Sequence, residues 1–446
     1  MSTQPASGQP SRNVLGPSLV YGFAAAVAVW VSWFATHVPW VTLTEPVRVG
    51  IVLAVWMAIS ILAGRAVGKP RGGLQVGCCS GFIAAIVGLL LLGAKINPPP
   101  GSTTSTPAYL IVPGFLALGA VLGLIGGLVG GLSKSSPSPQ RPWLHQFAVV
   151  TVLAAAPLLF IGGLVTTTNQ GMAVPDWPQT YGMNMFLYPL GNANVGVFLE
   201  HSHRLFGTLV GLTALVFMVW TLLAEPRRWV KGVVIGVFAA IVIQGVLGGG
   251  RVIGNSVAAA IIHGVVAQLI FAGLCAAAVM LRTTPDRLAQ AQPFAKDRRA
   301  KALLTAAMHS TILQVIFGAV YRHLRGEKGA MHALFAHIGF SFIVLTAALM
   351  GGLIAASIPA TATGPNRSLR RLGQFLVAAV LIQFTLGWIV VSPLGGAMGD
   401  RVPGMVSQAL LRTAHQANGA LLLGLATAAA VLAKMIYRAA HPKPAA

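Results

Sequence analysis

Apolar runs of about 18 residues or more recur along this 446-residue chain from end to end, more than any water-soluble core requires. In lipid a backbone amide finds no water, so such runs must be helices that satisfy their own hydrogen bonds. Composition agrees, with 55% hydrophobic and only 9% charged residues. The expected fold class is an all-α polytopic membrane protein. Read between Gly, Pro and charge punctuation, the sequence predicts twelve spans near 17–36, 47–67, 77–96, 109–132, 145–166, 195–223, 230–250, 256–281, 301–321, 332–357, 371–391 and 408–436. The polar stretch Met1–Arg12 leads into an apolar run too long for a signal-peptide core, so the first span reads as uncleaved.

The linker Ser133–Pro142 (SKSSPSPQRP) is the clearest boundary and separates four spans from eight. The expected domains are 1–135, an extra four-span module without an assigned role; 136–290, a first four-helix bundle; and 291–446, a second. Thirty Lys and Arg against eight Asp and Glu give a net charge of +22. In a soluble protein that would point to nucleic acid. Here no aromatic-basic interleaving accompanies it, and the basic residues sit in alternate connectors. Loops 37–46 and 167–194 carry no Lys or Arg, whereas connectors such as Arg227–Lys231 and Arg367–Arg371 are strongly basic. That asymmetry predicts both termini on the cytoplasmic side of a bacterial-type inner membrane, with anionic lipid as a partner. The loop Arg322–Lys328 breaks the rule. Cys78, Cys79 and Cys275 lie in apolar runs without metal or redox spacing and read as small buried hydrophobes.

The last eight spans repeat. Ile243-Gln244-Gly-Val-Leu247-Gly248 matches Ile382-Gln383-Phe-Thr-Leu386-Gly387, and Ile161-Gly162-Gly163-Leu-Val matches Ile316-Phe317-Gly318-Ala-Val. The spacing from His203 to Gln244 is close to that from His337 to Gln383, which predicts two bundles related by an axis along the membrane normal. The second, fourth, sixth and eighth helices of this block each carry a histidine soon after an outer loop: His203, His263, His337 and His415. Two neutral imidazoles facing across a bundle are natural axial ligands of a heme iron. A lone intramembrane histidine can also bond a neighbouring helix or relay protons, but four at matched depth in two pairs favour ligation.

Glu200 is one of only eight acids and heads an apolar helix, one turn above His203. It reads as a proton acceptor beside a substrate, or as a carboxylate answering the helix dipole. His201 points away from His203 around the helix. Arg204 and Arg251 are candidates to meet heme propionates, or are interfacial side chains that snorkel. His309, His323 and His332 are lesser candidates, with His323 and His332 nearest the second pair. The loop 167–194 holds Met172-Ala-Val-Pro175-Asp176-Trp177-Pro178; Asp176 offers a polar contact and Trp177 an interface anchor. The corresponding loop of the second repeat is shorter, so the first pair is expected to face substrate and the second to hold a resident group.

These residues resemble the heme A synthase family over about 145–440. The likeness is carried by Gly162-Gly163-Leu-Val-Thr-Thr, the Pro175-Asp176-Trp177-Pro178 loop, Glu200-His-Ser-His203-Arg204, Gln244-Gly-Val-Leu-Gly248-Gly249 and His263-Gly-Val-Val-Ala-Gln268, and more loosely by His337, Gln383 and His415. The resemblance implies an oxidoreductase that converts heme O to heme A by oxidising the C8 methyl to a formyl, for cytochrome oxidase biogenesis. It implies Glu200 and His203 as catalytic residues. His203 and His263 would face the iron of the substrate heme, with Arg204, Asp176 and Trp177 around it, and His337 and His415 would ligate heme b. Implied partners are heme O, a heme O synthase and oxidase assembly factors, with homo-oligomerisation open. Some members carry a cysteine pair in the first outer loop, and 167–194 has none. The competing functions are a diheme b-type electron carrier without substrate chemistry and a twelve-span transporter.

Overall fold

The computed structural model describes residues 14–96, 107–133, 142–396, 398 and 403–442. Among the described residues all regular elements are helical, apart from an isolated bridge between Thr180 and Met183. Twelve helices are long and apolar enough to cross a membrane, and the chain is an integral membrane protein. They are α1 Leu15–His37, α2 Glu45–Val67, α3 Pro70–Gly88, α4 Ala108–Gly131, α5 Trp143–Thr167, α6 Val195–Ala224, α7 Arg228–Ile253, α8 Val257–Arg282, α9 Asp297–Leu324, α10 Ala330–Ala356, α11 Gly364–Val391 and α12 Val406–Ala440.

The twelve expected spans are all present, and several run further than their apolar cores. Helix α3 begins at Pro70 rather than 77, and α11 at Gly364 rather than 371. Each has proline in its first turn, where the missing N–H costs nothing. Basic side chains in these added turns reach the membrane–water interface, so helical hydrogen bonding outlasts hydrophobicity. Helix α9 likewise takes in Arg322 and His323, which hydropathy placed in a loop; they occupy its last turn, where positive charge answers the helix dipole. The expected start Met1–Arg12, most of the linker Ser133–Pro142 and the residues Lys134, Arg141, Asp400 and Lys443 lie outside the described residues.

The chain divides into two compact units, Met1–His37 with Val41–Trp143, and Val38–Trp40 with Leu144–Ala446. In the first, α3 and α2 pack on α4 through glycine. A Cβ built at Gly77 or Gly81 would collide with the backbone carbonyl of Gly123 or Gly119, so no side chain fits between these helices. Trp30 and Trp56 fill the remaining interior. Cys78 is half-buried and Cys79 exposed, so only a weaker form of the buried-hydrophobe reading applies to them.

In the second unit α9, α10, α11 and α12 close a four-helix ring, α6, α7 and α8 pack in sequence, and α8 rests against α9 and α12. Leu304, Leu369, Leu376 and Leu422 anchor the ring's apolar core. The four histidine-bearing helices all start at the same end of this unit. Asn194 and Ser256 cap α6 and α8 by accepting from Val197 N (3.0 Å) and Ala259 N (3.2 Å). Helices α10 and α12 have no side-chain cap bond.

Candidate functional site

The four histidines fall within about the first three turns of α6, α8, α10 and α12 and face one another in two pairs. The ring centroids of His203 and His263 are 6.4 Å apart, and those of His337 and His415 are 6.2 Å apart; the planes meet at 78° in both pairs. An imidazole nitrogen ligates a first-row metal at about 2 Å, and the ring centre lies about an ångström beyond, so two rings opposed across one metal have centroids about 6 Å apart. Both pairs therefore fit a bis-histidine iron. Among the described residues no three His, Cys, Asp or Glu side chains gather as a metal cluster, so each pair stands alone.

The helix preceding each histidine presents a glycine to the ring. A Cβ at Gly162, Gly248 or Gly318 would lie 2.9 Å from the ring of His203, His263 or His337, and one at Gly387 would lie 3.3 Å from His415. Hydrogen is the only side chain that leaves each ring its position. One turn before three of these glycines stands a glutamine. Gln244 Nε2 donates to the His263 carbonyl (2.7 Å), and Gln314 Nε2 to the His337 carbonyl (2.8 Å). The Gln383 amide lies 3.3 and 3.4 Å from the two ring nitrogens of His415 and accepts from Asn418 (2.9 Å). The fourth position is Leu158. The glycines were legible as repeat positions but not as contacts of the rings, and Gln314 escaped sequence reading, although the spacing Gln-x-x-x-Gly recurs at 244–248, 314–318 and 383–387. The structure also shifts the expected register of the first repeat: Gly162, not Gly163, corresponds to Gly318, and Gly163 instead packs on Gln416 and Thr413.

What surrounds the two pairs differs. Around the first, Glu200 is buried and its Oε2 accepts from Val174 N (3.0 Å), while Oε1 pairs with Arg204 (2.9 Å). Arg204 also donates to the carbonyls of Asp176 (2.6 Å), Gln179 (2.9 Å) and Val174 (2.9 Å). Arg204 is thus engaged with the loop. Arg251 donates to the Gly171 carbonyl (2.7 Å), so two arginines fasten the loop to the helices, while Arg322 ties the end of α9 to the end of α5 at the Thr166 carbonyl. Within the loop, Asp176 accepts from Tyr181 N (2.8 Å) and Gly182 N (2.7 Å). Desolvation pushes its carboxyl up, but these amides outweigh that effect and hold it below the ordinary carboxylate value. The Trp177 indole lies on Gly249, next to the glycine that touches His263. His201 turns away from His203 and meets Thr180 Oγ1 (3.1 Å) and the Tyr188 ring.

Around the second pair lies a cavity of about 260 Å³, lined by His337, His415, Gln314 and Gln383 together with Arg322 and His323. One turn before His203 stands Glu200; the equivalent positions before His263, His337 and His415 are Ala260, Leu334 and Arg412. Arg412 donates to the carbonyls of Gly395 (2.9 Å) and Gly396 (2.5 Å). Among the described residues, only the first site has a carboxylate one turn before its histidine. His332 is exposed, and His309 bonds its own helix at Thr305 O (2.8 Å).

Residues 145–335 match the COX15-CtaA family, described as cytochrome oxidase assembly protein. The chain is similar to the heme A synthase of an Exiguobacterium strain, 31% identical over 181 residues that make up 40% of this chain and 57% of that protein. It is 28% identical to the heme A synthase of Exiguobacterium sibiricum over 41% of this chain and 60% of the relative, and 27% identical to that of Rhodopseudomonas palustris over 40% and 56%. The chain thus spans somewhat over half the length of these relatives. The family resemblance read from the sequence is upheld over 145–335; the family match ends just short of His337, and α1–α4 precede it.

Proposed function

Taking as premise that residues 145–335 carry the heme A synthase family's sequence, we propose that this protein makes heme A for cytochrome oxidase assembly, oxidising the C8 methyl of heme O to a formyl at the first histidine pair. The observation that carries this reading is the asymmetry between two otherwise alike sites: a buried carboxylate, Glu200, stands one turn before His203, and among the described residues none holds that place before His263, His337 or His415. His203 and His263 hold the substrate iron. Oxidation of a methyl carbon releases protons, and Glu200 is placed to accept them. Its two hydrogen bonds run to Arg204 and to Val174 of the covering loop, so its protonation and the closure of that loop are linked. Asp176 and Trp177 shape the loop, and Arg204 fastens it. His337 and His415 would hold a resident heme b, which would supply one-electron redox chemistry.

The protein works in a bacterial-type inner membrane with both termini cytoplasmic, receiving heme O from a heme O synthase and passing product to oxidase assembly factors. Chromatography of pigment extracted from the purified protein tests the reading. Heme A or hydroxylated heme O is expected in addition to heme B, and heme B alone would mark an electron carrier. Glu200→Ala is expected to retain the second-site heme and lose product; product formed at the parent rate would remove Glu200 from the chemistry.

A further inference from the structure

The block α5–α12 consists of four helical hairpins, each presenting a glycine notch to the histidine of the next helix. Three hairpins add a glutamine one turn before the glycine, and its amide ties the two helices at the histidine or contacts the ring itself. The first hairpin has Leu158 there, half-buried and without a hydrogen-bonding side chain. One further feature sets this hairpin apart. Pro157, immediately before Leu158, lies inside α5, so one main-chain hydrogen bond of the notch helix is absent beside His203. The His203 ring meets the Leu158 carbonyl much as the other three rings meet the main chain of Gln244, Gln314 and Gln383, but no side-chain amide stands beside it, whereas the His415 ring meets the Gln383 amide. The helix of His263 is tied by the Gln244 amide and that of His337 by the Gln314 amide. Partners beyond the ligating atom fix the tautomer and plane of a histidine and raise its strength as a donor.

We propose that His203 is the exchangeable axial ligand, let go because Leu158 stands where the other hairpins carry a glutamine, and that Gln244, Gln314 and Gln383 are positioning residues for the other three imidazoles. The ligand class is an iron porphyrin, and the inference rests on the heme reading above. A substrate heme must enter and leave, a resident one must not. One weakly held imidazole opposite a firmly held one meets the first need, and two firmly held ones meet the second.

Carbon monoxide binding to the reduced, purified full-length protein reads ligand release directly, because an iron with two histidines binds the gas only after one dissociates. Two phases are expected, a fast one from the first pair and a slow one from the second. Leu158→Gln should slow the fast phase about tenfold, while Leu158→Met, which keeps the bulk without an amide, leaves it unchanged. Gln314→Leu should speed the slow phase by a similar factor and raise the midpoint potential of the second heme. In a His203→Ala background, Leu158→Gln should have no effect on the fast phase. A fast phase indifferent to Leu158→Gln, or a response that persists without His203, overturns the inference while leaving the proposed function standing. Protein that holds no heme at the first pair would remove the proposed function and this inference together.

Discussion

The two histidine pairs share ring separation, interplanar angle and glycine contacts, yet their surroundings are opposites. The first has an acid one turn before His203 and a loop held by two arginines. The second sits over a cavity of about 260 Å³ with amides around its rings and an arginine where the first has the acid. Ring geometry is thus the shared chassis, and the two sites differ in the residues one turn away. In the proposed function, the same pair of imidazoles serves for reaction where a carboxylate and a covering loop are supplied, and for retention where amides hold the rings.

The strongest way to break this contrast is to remove ligands. His337→Ala or His415→Ala is expected to abolish the resident heme band in a reduced-minus-oxidised spectrum, while His203→Ala leaves that band intact. Loss of the band in His203→Ala would mean that the pairs are not independent. Next in size is the arginine exchange. Arg204→Gln should lower heme A formation about 100-fold, since a displaced loop misplaces the reacting groups. Arg412→Gln loosens the other loop and should change product formation only a few-fold. Equal losses would show that the loops are interchangeable.

A smaller effect is expected from the notches. Gly162→Ala and Gly318→Ala each push a methyl toward a ring already in contact, costing about 1–3 kcal/mol by overpacking. Each should shift the heme spectrum of its own site alone, seen together with a lowered thermal midpoint. The smallest is pH. Asp176 is held below the ordinary carboxylate value, so its contribution to loop order is full above that ordinary value and is lost as pH falls through the lower, folded value. Limited proteolysis of 168–194 should stay constant from neutral to mildly acidic pH and rise only in stronger acid, with the Asp176→Asn variant showing no such rise.

Much of this was legible in the sequence because lipid leaves so few choices. Twelve runs became twelve helices, and the four histidines were paired correctly from depth and alternation alone. Helix ends were misjudged at Pro70 and Gly364 because hydropathy follows the hydrocarbon layer while hydrogen bonding continues into the interface. Gln314 went unnoticed since one glutamine in an apolar helix carries no signal until its carbonyl partner, 23 residues on, is known. Arg204 could be read only as a nearby cation; its three carbonyl acceptors belong to a loop whose path has no periodicity to reveal it.

The glycine seam of the leading unit limits how this part of the chain can change over generations. Where the path of Gly77 and Gly81 meets that of Gly119 and Gly123, backbone touches backbone and any side chain forces the helices apart. On the outward faces, at positions such as Ile51, Leu62 and Val121, one apolar residue serves as well as another. Sequence drift should therefore run freely around the circumference of these four helices and halt along a single line, leaving the glycines as the trace by which distant versions of the unit can be aligned.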